Sequence, residues 1–451
     1  MTHIPSGAAQ LPIIVSRADH TISRAHISPN ALRVLYKLKD GGFQAFLVGG
    51  AVRDLLLGRR PKDFDIATNA HPEQVRQLFR NCRLIGRRFH LAHVRFGMDV
   101  VEVATFRAAH TEIDEDNSVD EGGHRVLDSS GRILRDNLYG TIEEDVWRRD
   151  FTANALYYSI ADFSVWDYVG GVRDANDRVL RLIGDPHTRY REDPVRMLRA
   201  VRFAAKLGFQ LHPQTAAPIR ELARMLDAVP PARLFDEVNK MFLSGSGLRA
   251  LELLIEFQLL EHLFPSLAAV GADDPESAAG KLLRLGLDST DQRVNLDKPV
   301  TPMFLYAVLL WPAIVRTVEQ HRNASMNESQ ALQVACDHVV LQQQAHVSVP
   351  RRFTAPLREL IGLQARFERR DGRRSLRLLA HPRFRAAYDF LLLRAAAGEV
   401  AQELADWWTE VQTLPPEQQL ERAAQVAVAA PAATPGKRRR RRRRKSGSPA
   451  Q

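Results

Sequence analysis

Near the start of the chain, segments whose apolar residues recur at helical spacing alternate with short continuous apolar runs. Apolar positions between Asn30 and Lys39 recur at helical spacing, whereas Ala45 to Val48 is a short apolar run of the kind that forms a buried strand. Gly49-Gly50 ends this run, and helical spacing resumes from Ala51 to Leu57. Further strands are predicted over residues 63–67, 84–85, 91–96 and 100–106. The pattern indicates a small mixed sheet with helices.

From about residue 143 the spacing becomes mainly helical. It predicts a helix from Glu143 to Ile160, a short strand from Phe163 to Tyr168, and a helix from Glu192 to Leu207. Later segments keep helical spacing to about Ala430. Residues 108–140 are acidic and weakly periodic, so we expect a mobile flap or an excursion from the sheet there.

These changes of pattern predict the domain organisation. The expected fold class is an α/β head, with a small mixed sheet and helices, followed by all-α neck and body domains. The predicted segments are a flexible N-terminal arm (1–27), the head (28–160), the neck (161–255), the helical body (256–430) and a disordered arginine-rich tail (431–451).

The positive charge of the chain is concentrated near its C-terminal end. The 451 residues carry a formal net charge of +10, and one run of nine basic residues leaves only about +1 (10 − 9) for the rest. Such a run repels itself and attracts polyanions such as RNA, DNA or an anionic membrane surface. The run consists of Lys437, Arg438, Arg439, Arg440, Arg441, Arg442, Arg443, Arg444 and Lys445.

The remaining composition points to the cytoplasm. Cys82 and Cys336 are the two cysteines, far apart in sequence, so no disulfide framework is expected. The N-terminal residues lack the charged and apolar regions of a secretion signal. We also expect no segment with the ~20 apolar residues of a membrane span.

Two carboxylates lie two positions apart in a predicted strand. Because alternate strand residues share a face, Asp63 and Asp65 should point to the same side, opposite Phe64 and Ile66. Adjacent carboxylates repel unless a cation lies between them, and Mg²⁺ prefers such oxygen ligands. On its own, a pair of this kind is more often a solvated strand end. Glu102 is a candidate third ligand, although a water-facing position on an edge strand would explain it equally well.

Gly49 and Gly50 lie between a predicted strand and a predicted helix. Glycines allow close approach of a ligand to the backbone, and a helix N-terminus attracts anions, so this turn suits a phosphate. In the segment Arg148 to Thr152, predicted to lie inside a helix, arginine could hold a triphosphate and Asp150 a ribose hydroxyl. A surface cluster of ion pairs is the alternative.

A second helix start combines an acidic and a basic side chain. Arg196 lies one turn after Asp193, so both side chains could reach one object. A carboxylate accepts from the exocyclic amine of adenine or cytosine, and a guanidinium donates to a ring nitrogen. This pair could therefore select a base, although a plain helix cap with an ion pair also fits.

Together these segments resemble the class II polymerase-β-type nucleotidyltransferases, the family of the CCA-adding enzymes and the bacterial poly(A) polymerases. The resemblance runs in order from about residue 30 to 245. Residues 84–94, which include Arg87 and Arg88, are similar to the poly(A) polymerase subgroup. The matching motifs are Phe46–Leu55, Asp63–Thr68, Arg148–Asn154, Tyr168–Asp174, Glu192–Phe203 and Pro231–Lys240.

The resemblance implies a role for each matching residue. Asp63 and Asp65 would hold catalytic Mg²⁺, or Mn²⁺ in its place, with Glu102 as a further catalytic carboxylate. The basic run and the helical body would hold RNA, mainly through its phosphates. The residues expected to bind ATP are Gly49, Gly50, Arg53, Arg149, Asp150, Glu192, Asp193 and Arg196, with Asp193 and Arg196 at the base and Glu192 bracing Arg196.

The implied activity is template-independent polyadenylation of RNA 3′ ends. AMP would be transferred from ATP with release of pyrophosphate, by a two-metal mechanism. CCA addition to tRNA shares the head and neck chemistry and stays open as the first alternative. An RNA-binding protein whose head has lost activity is the second.

Overall fold

The computed structural model describes residues 11–86, 90–108, 126–127, 133–135, 139–321 and 326–429. Its strands are β1 (Ile13–Val15), β2 (Ala45–Val48), β3 (Asp65–Thr68), β4 (Cys82–Ile85), β5 (Leu91–Phe96), β6 (Asp99–Thr105), β7 (Val126–Leu127), β8 (Ile133–Arg135), β9 (Leu156–Ser159), β10 (Val165–Asp167), β11 (Val179–Leu180) and β12 (Gln210–Leu211).

The helices of the first half of the chain are α1 (Pro29–Asp40), α2 (Gly50–Leu56), α3 (Pro72–Leu78), α4 (Ile142–Trp147), α5 (Gly171–Asn176), α6 (Pro186–Glu192), α7 (Val195–Leu207), α8 (Pro213–Leu222), α9 (Pro231–Phe242), α10 (Gly247–Glu256), α11 (Leu260–Leu263) and α12 (Pro265–Ala268). Those that follow are α13 (Ala278–Asn295), α14 (Pro302–His321), α15 (Glu328–Gln343), α16 (Arg351–Phe367), α17 (Gly372–Leu376), α18 (Phe384–Ala396), α19 (Gln402–Val411) and α20 (Pro416–Ala429).

Eight strands form one mixed sheet in the order β1-β10-β9-β2-β3-β6-β5-β4. All neighbours pair antiparallel except β3 and β6, which run parallel. The sheet and its flanking helices confirm the predicted α/β head, and the helices that follow confirm the mainly α-helical remainder. This topology brings the ends of β2, β3 and β6 together, where the predicted carboxylates lie.

Helix α1 shows how the apolar pattern fixes the packing of the head. Pro29 occupies its first turn, and the hydroxyl of Ser28 accepts a hydrogen bond from the N–H of Ala31. Val34, Leu35 and Leu38 lie on one face and are fully buried in the same core as Leu47 of β2. The predicted helix is therefore confirmed, and burial of this face holds α1 against the sheet.

The predicted helix from Glu143 to Ile160 is wrong beyond Trp147. Helix α4 ends there, a 3-10 turn covers Thr152–Asn154, and β9 follows. Since β9 pairs with β2 on one side and β10 on the other, and all four of its residues are buried, sheet pairing overrides the helical spacing. The motif from Arg148 to Thr152 consequently lies between a helix and a strand, and not inside a helix.

Two further boundaries differ from the prediction. Strand β3 begins at Asp65, so Asp63 precedes the strand and the argument from a shared strand face does not apply to it. The predicted helix from Glu192 to Leu207 is interrupted, because α6 ends at Glu192 and α7 begins at Val195. Asp193 is extended, with φ −149° and ψ 93°, as expected for a residue before proline.

The chain divides into two compact units. The first comprises Met1–Ala269, Leu287–Val300 and Gln343–Val349, and it contains the eight-stranded sheet. The second comprises Val270–Gly286, Thr301–Gln342 and Pro350–Gln451. The boundary predicted between neck and body at residues 255 and 256 falls inside the first unit.

The second unit has an aromatic core. Trp311, Phe367, Phe390 and Trp408 are fully buried, and the indole N–H of Trp408 donates to the carbonyl of Phe367 at 2.9 Å.

Within the described residues, one helix segment, Pro302–Gln320, is long and apolar enough to cross a membrane, contrary to the expectation that none would be. Because 67% of it is buried inside the structure, it has the surroundings of a core helix.

Candidate active site

The turn between β2 and α2 is built around Gly49. Its backbone has φ 71° and ψ −134°, a conformation that side-chain-bearing residues rarely adopt. Its N–H donates to the carbonyl of Leu156 in β9, which fixes the turn to the middle of the sheet. A side chain at this position would also meet the guanidinium of Arg149, whose Nη1 lies 3.5 Å from the place of its Cβ. Gly49 therefore brings the backbone of the turn close to Arg149.

Arg53 lies beneath this turn. Its guanidinium is 4% exposed, pairs with the carboxylate of Asp54 at 2.7 Å and donates to the side chain of Asn154. It also lies 3.4 Å from the place of a Cβ on Gly50. Arg53 thus supports the turn from the protein side, and Asn154, which the sequence motif contained without a role, is its partner.

Asp65 begins β3 directly beside the glycine turn. It pairs with Val48 across the antiparallel ladder, and the parallel register of Ile66 with Val103 sets Glu102 beside it. Asp65 touches solvent, yet its pKa is raised to about 6 by desolvation first, then by the charges of Glu102 and Asp63, against the opposing charge of Arg149. Two other carboxylates therefore lie near enough to Asp65 to raise its pKa.

Glu102 does not lie on an edge strand, which was the alternative explanation for a carboxylate at this position. Strand β6 lies between β3 and β5, so Glu102 is on an inner strand and not on an edge. Its carboxylate is half exposed and lies 3.2 Å from Nε2 of His93 on β5. Glu102 thus has a partner of its own while it adds negative charge beside Asp65.

These carboxylates fit a divalent cation in their chemistry. A cation beside Asp63 and Asp65 would remove the repulsion that raises the pKa of Asp65. Within the described residues, no three Asp, Glu, His or Cys side chains are grouped closely enough to hold a metal by themselves. Mg²⁺ commonly binds through one or two carboxylates and completes its shell with water and substrate phosphate. A two-carboxylate site of this kind suits Mg²⁺.

Arg149 is held rigidly at the other side of the turn. Its guanidinium donates to the carboxylate of Asp145 at 3.0 Å and to the hydroxyl of Tyr157 at 2.7 Å. Burial alone would raise the pKa of Asp145, but the charge of Arg149 and the hydrogen bond from Tyr157 outweigh it and lower that pKa. Asp145 therefore stays ionised and anchors Arg149.

Asp150 and Arg196 meet directly. The Nε of Arg196 lies 3.0 Å from one carboxylate oxygen of Asp150, and Arg199 approaches the other oxygen at 2.6 Å. Arg196 also donates to the carboxylate of Glu192 at 2.9 Å. The predicted contact between Glu192 and Arg196 is thus present, and it extends to Asp150.

Arg189 joins this network from α6. One nitrogen of its guanidinium donates to the carbonyls of Arg148 and Arg149 at 3.1 and 3.0 Å, and another donates to Glu192 at 2.9 Å. It therefore links the segment that carries Arg149 and Asp150 to the start of α7. The sequence motifs did not include Arg189, and its place one turn before Glu192 was the available signal.

Asp193 is separate from Arg196. Its carboxylate accepts from Arg233 of α9 at 2.7 Å, whereas the guanidinium of Arg196 is occupied by Asp150 and Glu192. In this structure the side chains of Asp193 and Arg196 are therefore bound to different partners, and their common role at a base stays a prediction. Arg233 lay in a recognised motif and had no assigned role.

Several predicted features lie elsewhere. Arg87 and Arg88, most of residues 108–140 and the whole basic run from Lys437 to Lys445 are outside the described residues.

A cavity of about 400 Å³ in the first unit is lined by Trp147, Tyr168 and Arg181 among others. None of the predicted site residues lines that cavity, so it is distinct from the candidate active site.

Comparison with protein families gives three matches along the chain. Residues 45–181 match the "Poly A polymerase head domain", residues 208–270 match the "Probable RNA and SrmB-binding site of polymerase A", and residues 324–446 match the "Polymerase A arginine-rich C-terminus". The first match contains the glycine turn, the three carboxylates and the Arg149 segment.

Curated relatives agree with these families over most of the chain. Poly(A) polymerase I of Escherichia coli O6:H1 is 49% identical over 90% of this chain and 87% of its own length. The same enzyme of Haemophilus influenzae is 46% identical over 88% of each chain. The CCA-adding enzyme of Bacillus subtilis is 37% identical, but over only 52% of this chain and 55% of its own.

Solved structures share the fold. The CCA-adding enzyme of Bacillus stearothermophilus in complex with CTP is 25% identical, with a TM-score of 0.54 and 90% of each chain covered. The Thermotoga maritima CCA-adding enzyme complexed with tRNA is 18% identical, with a TM-score of 0.55 over 89% of this chain and 87% of its own. In sequence, poly(A) polymerase I matches about nine tenths of this chain, whereas the CCA-adding enzyme of Bacillus subtilis matches about half of it. This chain therefore belongs to the poly(A) polymerase family.

Proposed function

We propose that this protein extends RNA 3′ ends with AMP from ATP, without a template, and releases pyrophosphate. The observation that carries the proposal is the meeting of Asp65, Glu102 and Arg149 around the Gly49-Gly50 turn. This meeting occurs in a chain that is similar to poly(A) polymerases over about nine tenths of its length. In the reaction, the RNA 3′-hydroxyl attacks the α-phosphate of ATP in line with the leaving pyrophosphate.

Asp63 and Asp65 would hold divalent metal, preferably Mg²⁺ and in its place Mn²⁺, with Glu102 adding negative charge beside them. When bound, the metal activates the attacking hydroxyl and neutralises charge on the phosphates. The backbone N–H of Gly50 donates to a phosphate oxygen at the start of α2, while the N–H of Gly49 stays bound to the carbonyl of Leu156 and holds the turn in place.

The remaining residues position the nucleotide. Arg149, anchored by Asp145 and Tyr157, presents its charge toward the triphosphate, while Arg53 supports the turn from beneath. Asp150 accepts from the ribose once ATP competes with its present partners Arg196 and Arg199. Arg196, released from Asp150 and braced by Glu192, then reads adenine together with Asp193.

The direct test uses purified protein, Mg²⁺ and a labelled RNA with a free 3′-hydroxyl, incubated with each NTP separately. A long ladder with ATP alone supports the proposal. Extension restricted to tRNA that lacks its terminal CCA, requiring CTP and stopping after it, would assign CCA addition instead. No extension of any RNA would favour an RNA-binding protein without activity.

The matching variants are Asp63→Ala and Asp65→Ala. Each should reduce extension by at least about a thousandfold, since a metal site contributes several kcal/mol to the transition state. Asp99→Asn, which removes an exposed carboxylate from the strand that carries Glu102, is the control for loss of a nearby acidic group and should retain most of the activity. A double alanine variant that extends RNA at the normal rate would refute the assignment.

A further inference from the structure

Within the described residues of the second unit, a group of arginines lies where α16 ends and α17 begins. We call it the arginine turn. Its residues span 366–377 and include the acidic residues Glu368 and Asp371, which leaves a net charge of +4 (6 − 2). The arginines of the turn are Arg366, Arg369, Arg370, Arg373, Arg374 and Arg377.

These arginines face solvent. Five of the six are exposed, and Arg370 is partly buried. The chain reverses between the two helices at Gly372, whose φ of 65° suits glycine. The short turn therefore gathers arginines from the end of α16 and from α17 into one exposed stretch.

Their charges lack partners in the part of the chain that the structure describes. No carboxylate within those residues forms an ion pair with any of the six. In the same unit, Arg358 pairs with Asp337 at 2.5 Å, Arg385 with Asp389 at 2.8 Å, and Arg422 with Glu410 at 2.9 Å. The arginine turn thus differs from these three arginines, whose charges are balanced by carboxylates.

Stability does not explain this arrangement. Arg366 lies in the last turn of α16, and Arg373 and Arg374 lie in the last turn of the five-residue α17, where a helix dipole favours basic groups. The six like charges nevertheless repel one another across a short exposed stretch, and no carboxylate within the described residues neutralises them by an ion pair. A cluster that costs folding free energy calls for a polyanionic ligand as its compensation.

The arginine turn also lies against the helix that leads to the tail. Helix α17 packs against α20, which ends at Ala429, eight residues before Lys437.

We propose that the arginine turn binds the phosphates of single-stranded RNA behind its reacting 3′ end. This inference rests on the proposed function, because the enzyme must hold an RNA while it adds nucleotides to it. A lipid surface fits less well, since none of the large hydrophobic side chains exposed in the described structure lies within residues 366–377. Each arginine that neutralises a phosphate releases counterions, which makes the binding salt-dependent.

The test compares two triple variants with the same change in charge. In Arg369→Gln/Arg373→Gln/Arg374→Gln, the slope of log affinity for a 20-nucleotide oligo(A) against log salt should become shallower by about 2, since each single-strand phosphate contributes roughly 0.7. The control, Arg358→Gln/Arg385→Gln/Arg422→Gln, removes arginines that already have carboxylate partners and should leave the slope near that of the full chain. Equal slopes in the two variants would overturn the proposal.

Two further measurements separate this site from the active site and from folding. Extension of a trinucleotide, which has only two phosphodiesters beside its 3′ end, should be unchanged in the first variant, while extension of long RNA weakens. A wild-type protein that extends no primer would refute the proposed function and leave the binding result to stand.

Lysine at the same three positions should restore most of the salt slope. Failure of lysine to do so would contradict binding by charge. If the first variant lost binding to anionic vesicles but kept the RNA binding of the full chain, the turn would bind a lipid surface and the proposal would be overturned.

Discussion

At the scale of single residues, Arg189 is the group that joins the two halves of the nucleotide site. Its guanidinium binds the carbonyls of Arg148 and Arg149 and the carboxylate of Glu192. We expect Arg189→Met to lower kcat/KM for ATP by about 10- to 100-fold, equivalent to roughly 1.4–2.8 kcal/mol, because partly buried acceptors lose their donor.

The control for Arg189 is Arg394→Met in the second unit. Arg394 is similarly buried, and its hydrogen-bond partners Glu399 and Gln364 belong to the same second unit. Both variants should lower the melting temperature, while only the Arg189 variant should raise KM for ATP and reduce the preference for ATP over CTP. Equal kinetics in the two variants would mean that Arg189 serves stability alone.

Asp65 predicts a pH-dependent stability in the absence of metal. Its pKa is about 6 in the folded state against an ordinary 3.8, so the folded protein binds this proton more tightly than the unfolded chain. The decrease in the free energy of unfolding that ionised Asp65 causes is therefore absent below about pH 4 and complete above about pH 6. Asp65→Asn should be more stable than the wild type at about pH 7.5 in EDTA, and equal to it near pH 4.

Chemical denaturation at the two pH values measures this difference. Adding Mg²⁺ at the higher pH should stabilise the wild type and leave the Asp65→Asn variant unchanged, because ligand binding to the folded state adds stability. If the variant were less stable than the wild type at both pH values without metal, Asp65 would not be under the repulsion described.

The residues proposed to carry the chemistry were recognisable because they stand in short motifs. Asp63, Asp65, Arg149 and Asp150 could be named from the sequence, since their spacing is part of the resemblance. Their supports could not be predicted in the same way, because the contact pairs residues from distant segments. Arg233 reaches Asp193 from 40 positions away, and Arg53 reaches Asn154 from 101 positions away.

At the scale of elements, strands and helices with one clear period were predictable, and those decided by tertiary pairing were not. Strand β2 was predicted with its observed bounds, Ala45 to Val48, and β5 was also predicted as found. The residues of β9, Leu156 to Ser159, were predicted to be helical because their local sequence does not indicate pairing with two neighbouring strands. The central place between β2 and β10 decides its conformation.

The break between α6 and α7 gives a prediction for Pro194. This proline holds Asp193 in an extended conformation, in which its carboxylate reaches Arg233. Pro194→Ala should allow helical geometry at Asp193 and lower the preference for ATP over CTP by about tenfold, roughly 1.4 kcal/mol. Competition between the two nucleotides in one extension assay measures it.

Pro186→Ala is the control, since Pro186 occupies the first turn of α6 and interrupts no helix. This variant should keep the wild-type preference and a similar melting temperature. A Pro194→Ala protein with unchanged nucleotide preference would show that the break does not position Asp193 for selection.

At the scale of the whole molecule, we expect the basic run to hold RNA while the head adds nucleotides to it. Deleting residues 431–451 removes nine basic residues. We expect the salt slope of RNA binding to become shallower by up to about 6, with weaker binding near physiological salt. Trinucleotide extension should persist. Unchanged affinity and slope would refute an RNA-binding role for the run.

The order of strands in the sheet also has a consequence for the chain during synthesis. Strand β2 is completely buried and needs β9 as a neighbour, yet β9 follows it by roughly 110 residues. At about 5–20 residues per second, the ribosome leaves one edge of β2 without its partner for roughly 5–20 s. An apolar strand edge exposed for that time is a site for mispairing between nascent chains. The head is therefore the part of this protein whose yield should depend most on chaperones and on translation speed.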